Sequence, residues 1–295
     1  MELLKSLDHR SIIKAYETIH MRDSKQLAIV MELCTGGDLY ARMPYTERQA
    51  ASVMKQVLSA LVYLHDRNII HRDIKMENIM FESHHPEAAV KLIDFGLSKE
   101  YSIGESVLKE RVGTLYSMAP GTMKGHYSFP ADLWSIGVCT YIMLCGEKPF
   151  EGKTPKQLVA KVLLGKYKFD PHLWDPISDD AKEFIQKLLV VKSEDRMTAK
   201  QAIRHQWLTE ALRKEPSDQG LDEELKQRVR EGIIRYAALG EFRKLALNVI
   251  AKKSTADEIF ELRRVFDEFD TLQTGTITLE EFQEALAKFN YPESK

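Results

Sequence analysis

One stretch of the sequence, residues 70–96, constrains the fold and chemistry of this chain more than any other. It carries Asp73 and Lys75 two residues apart, Asn78 three residues later, and Asp94 after the next apolar run. An Asp on a tight loop can accept a proton from a hydroxyl group, and a Lys nearby can face a phosphate. An Asn and a second Asp on neighbouring segments supply the oxygen ligands that Mg²⁺ prefers. The pattern is therefore typical of magnesium-assisted phosphoryl transfer.

The same stretch resembles the catalytic loop and the metal loop of eukaryotic protein kinases. It reads His-Arg-Asp-Ile-Lys-Met-Glu-Asn, followed further on by Asp-Phe-Gly. The resemblance implies that Asp73 is the base that orients the substrate hydroxyl and that Lys75 stabilises the transferring phosphoryl group, as in serine/threonine kinases. It also implies that Asn78 and Asp94 hold Mg²⁺ and that Thr114 contacts both catalytic residues. The phosphoryl donor would be ATP.

A Gly-Gly segment upstream resembles the hinge that joins the two lobes of a kinase. The resemblance implies that the backbone at Glu32 and Cys34 bonds the adenine edge, and that Asp38 reaches the ribose or a basic substrate residue. Met31 would lie at the back of the nucleotide pocket, and Met80 would form its floor. The alternative is an ordinary glycine-containing loop before a helix.

The first 34 residues correspond to only part of a kinase small lobe. Residues 1–7 have the apolar spacing of a helix end, and the apolar run at 27–31 predicts a buried strand. A kinase also needs a glycine-rich loop and a β3 lysine paired with a glutamate of its αC helix. By spacing, that glutamate would fall immediately before Met1, so Glu2 does not match it. We therefore expect a truncated small lobe.

Residues 35–208 have the pattern of the larger, mainly helical lobe. Thr46 and Gln49 have capping-box spacing and predict a long helix ending near Asp66. Residues 79–81 and 90–93 predict a hairpin. The resemblance implies that Asp132 lies on a buried helix and bonds the catalytic-loop backbone. Further helices are predicted at 155–164, 179–191 and 198–206.

One motif of this lobe departs from the kinase pattern. Kinases carry Ala-Pro-Glu after the activation segment, whereas this chain has Gly121 at the third position. In the family that glutamate pairs with a buried arginine, which corresponds to Arg196. We expect Arg196 to lack this partner, and the loss of one member of a buried ion pair costs roughly 3–5 kcal/mol.

Residues 209–253 predict a helical junction. Apolar residues between 242 and 250 recur at helical spacing with basic residues beside them, which resembles a calmodulin-type target helix. The alternative is a helix that packs on the large lobe.

Residues 254–295 predict a single EF-hand. Its loop would bind Ca²⁺ through Asp270, Thr274, Thr276, Thr278 and Glu281. Leu272 occupies the third loop position, where an oxygen ligand is expected, so we predict weak or absent Ca²⁺ binding.

Charge and composition exclude several classes of function. The net charge of −2 gives no electrostatic basis for binding nucleic acid or an anionic membrane. No apolar run is long enough to span a bilayer, and no signal peptide opens the chain. Three cysteines without metal-ligand spacing indicate reduced thiols in a cytoplasmic protein.

The chain as a whole predicts an α+β, protein-kinase-like fold followed by a helical junction and an EF-hand. This order resembles the calcium-dependent protein kinases. The resemblance implies a calcium-regulated kinase that phosphorylates protein Ser/Thr, with nearby basic residues as a candidate preference, and an EF-hand that contacts the junction. Because the glycine-rich loop, the β3 lysine and the αC glutamate are missing, we expect the chain as given to be weak or inactive. The alternative is a non-catalytic, kinase-like calcium-binding or scaffold protein.

Overall fold

The computed structural model describes residues 2–21, 26–101 and 107–212. It also describes residues 231, 232, 235, 240, 244, 266, 270, 277, 278, 280, 281 and 284. The chain divides into two compact units, residues 1–213 and residues 214–295. The regular elements below all belong to the first unit, which mixes helices with short strands.

The strands of the first unit form three antiparallel pairs, β1 with β2, β3 with β6 and β4 with β5. They are β1 (Ala15–Met21), β2 (Gln26–Met31), β3 (Ile69–Ile70), β4 (Ile79–Phe81), β5 (Val90–Leu92) and β6 (Lys99–Glu100). The helices are α1 (Glu2–Ser6), α2 (Glu47–His65), α3 (Pro120–Lys124), α4 (Pro130–Cys145), α5 (Pro155–Leu164), α6 (Pro171–Trp174), α7 (Asp179–Leu188), α8 (Ala199–Ala202) and α9 (Gln206–Ala211).

Two long helices, α2 and α4, form the centre of the first unit. Helix α2 begins as predicted, because the hydroxyl of Thr46 accepts a hydrogen bond from the Gln49 amide while the Gln49 side chain accepts one from the Thr46 amide. The middle of α4, from Ala131 to Met143, is buried on every side. A helix that is apolar all round belongs in a core, and α4 packs against both α2 and α7.

Hairpin β1–β2 corrects one prediction from the sequence. The strand at 26–31 is present, but the side chains of Leu27, Ile29, Val30 and Met31 are each 38–44% exposed, so it is not buried. Within the described residues this hairpin is a two-stranded sheet of its own. A strand is buried only where other elements cover its faces, and the apolar run alone does not indicate whether such elements are there.

Two predicted helices are shorter or divided. The helix predicted at 179–191 ends at Leu188, because Leu189 leaves the helical region of backbone conformation. The helix predicted at 198–206 is instead two short helices, α8 and α9, and the side chain of His205 caps the second by accepting from the Trp207 amide. Among the residues that the structure describes, no helix combines the length and apolarity needed to cross a bilayer.

Candidate active site

The candidate catalytic loop lies between β3 and β4, and a side chain of helix α4 binds its backbone. Asp132, in the first turn of α4, is 1% exposed. Its carboxylate accepts hydrogen bonds from the backbone amides of His71 and Arg72, each at 3.0 Å, and contacts His65 Nε2 at 2.9 Å. Burial alone would raise the pKa of Asp132, but the hydrogen bond and charge of His65 outweigh burial and lower it. A buried carboxylate therefore fixes the loop through its backbone, as the sequence predicted.

Asp73 is the centre of a compact polar cluster. Its Oδ2 lies 2.7 Å from Lys75 Nζ and 3.2 Å from Asn78 Nδ2, and its Oδ1 accepts from the Thr114 hydroxyl at 2.7 Å. Lys75 Nζ also lies 3.0 Å from Thr114 Oγ1. Burial would raise the pKa of Asp73, but the hydrogen bonds from Lys75 and Thr114 and the charge of Lys75 together lower it. Asp73 is therefore ionised at neutral pH and can accept a proton.

His71 supports the loop as a neutral ring. Its Nδ1 accepts from the Asp73 amide at 3.3 Å, and its Nε2 lies 3.1 Å from the carbonyl of Ile93. Complete burial lowers the pKa of His71, which favours the neutral form with the proton on Nε2. The ring thus joins the catalytic loop to the end of β5.

Arg72 adopts a left-handed backbone conformation, with φ of 72°. Such a conformation costs a residue other than glycine about 1–3 kcal/mol, so surrounding contacts must hold it. Besides the bond from its amide to Asp132, its guanidinium donates to the Leu97 carbonyl and to the carboxylate of Glu110. The role of Glu110 could not be predicted from the sequence, because nothing in the spacing of an acidic residue 38 positions away indicates this contact.

Asn78 and Asp94 have the chemistry of a magnesium site. The Ile93 amide donates to the Asn78 carbonyl at 2.9 Å, so the two segments lie side by side. The amide nitrogen of Asn78 donates to Asp73, which leaves its side-chain oxygen as a ligand atom. Asp94 is exposed and left-handed, with φ of 60°, and Gly96 donates to its Oδ1 at 3.1 Å. One amide oxygen and one carboxylate fit Mg²⁺, which prefers few protein ligands and completes its shell with water and phosphate.

The candidate nucleotide hinge follows β2. Met31 is 44% exposed, Cys34 is partly buried, and Glu32 donates its amide to the carbonyl of Lys14 at 2.9 Å. Asp38 caps the following short 3₁₀ helix by accepting from the Ala41 amide at 3.1 Å. Asp38 thus caps a helix, whereas the resemblance to the kinase hinge implies that it reaches the ribose or a basic substrate residue.

The floor of the predicted nucleotide pocket is attached to the end of the hinge. Met80 on β4 forms an isolated bridge with Asp38, and the Phe81 amide donates to the Gly37 carbonyl at 2.8 Å. The structure therefore brings Met80 and the hinge residues together.

In the second unit, three predicted calcium ligands lie among the described residues. Asp270 is 3% exposed and Glu281 is 4% exposed. The amide and hydroxyl of Thr278 both donate to Glu281 Oε2 at 2.9 Å, and the Glu281 amide donates back to the hydroxyl at 3.2 Å. These reciprocal bonds form a capping box at a helix start. Thr274, Thr276 and Leu272 lie outside the described residues, as does nearly all of the predicted junction helix.

Arg196 has hydrogen-bond partners although Gly121 provides no carboxylate. It is 5% exposed and has partners, because its guanidinium donates to the backbone carbonyls of Val190 and Pro130 and lies 5.1 Å from the ring centre of Trp134. The prediction that Arg196 lacks the glutamate of the family motif holds, but the expected cost of an unpaired buried charge does not follow. Carbonyl oxygens replace the carboxylate that the family motif would supply.

Comparison with known proteins agrees with this geometry. Residues 1–208 match the protein kinase domain family, and residues 261–290 match an EF-hand domain family. The chain is 37% identical over 97% of its length to calcium-dependent protein kinase 3 of Plasmodium yoelii yoelii, of which it covers 53%. It is 36% identical over 94% of its length to calcium-dependent protein kinase 12 of Arabidopsis thaliana, of which it covers 55%.

The chain therefore belongs to the protein kinase family. Its kinase and EF-hand matches, in that order, agree with the calcium-dependent protein kinases to which it is similar over nearly its whole length. The chain spans about half the length of the curated relatives it matches.

Proposed function

We propose that this chain transfers the γ-phosphoryl group of ATP to serine or threonine hydroxyls of proteins under calcium control. The observation that carries the proposal is the Asp73 carboxylate, ionised and held by Lys75 at 2.7 Å and Thr114 at 2.7 Å. A carboxylate placed in this way can orient a hydroxyl and accept its proton. The matches to named calcium-dependent protein kinases support the same activity.

The proposed reaction uses the polar cluster in defined roles. The substrate oxygen forms a bond to the γ-phosphorus as the bond from that phosphorus to the bridging oxygen breaks, and ADP leaves with the electron pair. The hydroxyl proton passes to Asp73, while the ammonium of Lys75 offsets negative charge on the transferring group. Asn78 and Asp94 would hold Mg²⁺, which supplies charge neutralisation for the phosphates. The hydroxyl of Thr114 contacts both Asp73 and Lys75 and so fixes the positions of their side chains.

The 295-residue chain should catalyse this reaction slowly. It contains neither a glycine-rich loop nor a β3 lysine, and positioning of the phosphates is most of phosphoryl-transfer catalysis. We expect turnover below ~1 s⁻¹, the low end for protein kinases, with Mg-ATP and a basic serine peptide. Asp73→Asn should abolish it, whereas Asp179→Asn, at a fully exposed carboxylate, should not. Turnover at or above that value, lost in Asp73→Asn, would contradict the expected weakness.

A non-catalytic scaffold is the second candidate, favoured by Gly121 and Leu272, which depart from the kinase and EF-hand patterns. The rate of phosphate transfer distinguishes the two functions. A catalyst gives phosphate transfer above the Asp73→Asn background, however slow, whereas a scaffold gives identical rates in the parent and the variant. Binding of Mg-ADP without transfer would favour the scaffold.

Calcium control is proposed from the second unit. Asp270 and Glu281 supply two carboxylates, and Leu272 supplies no oxygen, so we expect a Kd weaker than the sensor range of about 10⁻⁷–10⁻⁵ M. Calorimetry on the whole chain should show tighter binding in Leu272→Asp and none in Glu281→Gln. Micromolar binding by the parent, or no gain in Leu272→Asp, would contradict the assignment.

The remaining functional proposals follow from the family. We propose that the substrates are proteins with a basic residue near the Ser or Thr. We also propose that the EF-hand contacts the junction inside the chain, as the resemblance to calcium-dependent protein kinases implies. The three sparse cysteines support a cytoplasmic location.

A further inference from the structure

A buried ammonium group on β5 takes no part in the chemistry described above. The side chain of Lys91 is 7% exposed, and its Nζ lies 3.1 Å from Glu32 Oε1 and 3.2 Å from Glu82 Oε1. The side chain of Glu82 is 3% exposed and that of Glu32 is 20% exposed. Two carboxylates thus share one cation in an environment where an unpaired charge is costly.

The three residues belong to separate segments that meet at the candidate nucleotide site. Glu32 follows β2 and begins the hinge, Glu82 follows β4, and Lys91 lies within β5. Lys91 pairs with Met80 in the β4–β5 register, and directly paired residues of antiparallel strands project from the same face. The ammonium therefore lies on the face of the hairpin that carries the expected floor of the adenine pocket.

The hinge is attached to the rest of the unit at two points. Its second half bonds directly to the end of β4, because the Thr35 amide donates to the Glu82 carbonyl and the Gly36 amide to the Phe81 carbonyl, each at 3.0 Å. Its first residue is held by both backbone and side chain. The Glu32 amide donates to the Lys14 carbonyl at 2.9 Å, and Glu32 Oε1 accepts from the Lys14 amide at 2.6 Å and also faces Lys91. Lys91 is thus the link between the start of the hinge and the hairpin beneath it.

We propose that Lys91 is a positioning residue for nucleotide binding, which holds the hinge at Glu32 above Met80. Without the ammonium, the carboxylate of Glu32 would lose the cation that faces it at 3.1 Å. Glu32 is more exposed than Glu82, so it would turn toward water and move the hinge backbone with it. This proposal rests on the proposed function, because it assumes that ATP binds at the hinge.

The test compares nucleotide affinity, hinge exchange and melting temperature in the whole chain. The Kd for Mg-ADP is measured by calorimetry, and backbone hydrogen exchange is followed in a peptide covering residues 32–36. Lys91→Met should raise the Kd about tenfold, which corresponds to ~1.4 kcal/mol and is about the worth of one hydrogen bond to the hinge, and should speed exchange of the hinge peptide. Lys91→Arg should stay close to the parent. Lys187→Met, at an exposed ion pair on α7, is the matched control and should change nothing.

A second variant separates positioning from stability. Glu32→Gln removes the charge that faces Lys91, keeps an oxygen for the Lys14 amide and leaves Lys91 beside Glu82, so the melting temperature should change little while the Kd and hinge exchange rise. If Lys91 were only structural, Glu32→Gln would leave both readouts at the parent value. Unchanged Kd and unchanged hinge exchange in Lys91→Met would overturn the proposal even if the melting temperature fell.

The two proposals can fail separately. A parent chain that binds no Mg-ADP would contradict the proposed function, and the exchange of the hinge peptide would still decide the role of Lys91. A parent that binds Mg-ADP with the same Kd and hinge exchange as Lys91→Met would contradict only the inference.

Discussion

At the scale of single residues, Arg196 illustrates how a buried guanidinium is stabilised without a carboxylate. It donates at 2.6 Å to the carbonyls of both Val190 and Pro130. Burial lowers the pKa of Arg196 to about 10, so the side chain stays charged at neutral pH. Hydrogen bonds to a charged donor are worth about 1.5–3 kcal/mol each, which is enough to compensate for a missing ion pair.

Restoring the family residue at position 121 should therefore destabilise the first unit. A Cβ atom on Gly121 would lie 2.7 Å from the carbonyl oxygen of His126, so the backbone must shift to admit any side chain. We expect Gly121→Glu to lower the free energy of unfolding by about 1–3 kcal/mol, as overpacking does. Urea denaturation measures this, with Lys124→Ala as an exposed control on α3. A rise in stability would indicate that the introduced carboxylate reaches Arg196 and that the carbonyl contacts are dispensable.

At the scale of elements, α4 connects the core to the catalytic loop. Its interior is almost wholly apolar, yet Asp132 in its first turn is nearly inaccessible to solvent. A buried carboxylate is stable here because it accepts two backbone amide bonds and contacts His65. The helix therefore fixes the backbone of His71 and Arg72 relative to the core.

Removing this carboxylate should cost both stability and activity. In Asp132→Ala the amides of His71 and Arg72 lose their acceptor, and each unsatisfied buried group costs about 1–3 kcal/mol. We expect a total loss of about 2–6 kcal/mol in urea denaturation, with any phosphate transfer reduced as well. Asp179→Ala, which removes a fully exposed carboxylate, should change stability by less than about 0.5 kcal/mol. Equal midpoints for the two variants would show that the loop is held in another way.

Much of this element structure could be predicted from local signals. The capping box at Thr46 fixed the start of α2, and the loop motif indicated the neighbours of Asp73. The ion pair between Lys91 and Glu32 could not be predicted, because the two residues are 59 positions apart. Lys and Glu are also mostly exposed in proteins, so neither residue type indicates a buried pair. The exposure of β2 could not be predicted either, since the apolar pattern of a strand does not specify what packs against it.

At the scale of the whole molecule, buried ionisable groups set how stability responds to acid. Burial lowers the pKa of His71 and His205 below the ordinary value of 6.5. The folded state therefore binds fewer protons than the unfolded state, and this contribution to stability is present above pH 6.5 and lost as the pH falls below it. For Asp73 and Asp132, hydrogen bonds and charges outweigh burial and lower the pKa from 3.8, so their contribution is lost in stronger acid.

We therefore expect the urea midpoint to be steady above neutrality, to fall as the pH drops below about 6.5 and to fall again below about 4. A set of equilibrium unfolding curves from mildly alkaline to strongly acidic pH measures this. His205→Asn keeps a capping side chain on α9 but removes one titrating group, so its midpoint should fall less steeply just below about pH 6.5. A midpoint that rises on acidification would contradict the assigned direction of the histidine shifts.

Hairpin β1–β2 has a consequence for the solubility of the polypeptide. Within the described residues neither of its edges pairs with a further strand, and Leu27, Ile29, Val30 and Met31 are all exposed. Unpaired strand edges with apolar side chains are templates for pairing between molecules. Concentrated samples of these 295 residues should therefore self-associate through the hairpin, and charged substitutions on β2 should delay precipitation without changing the helical core.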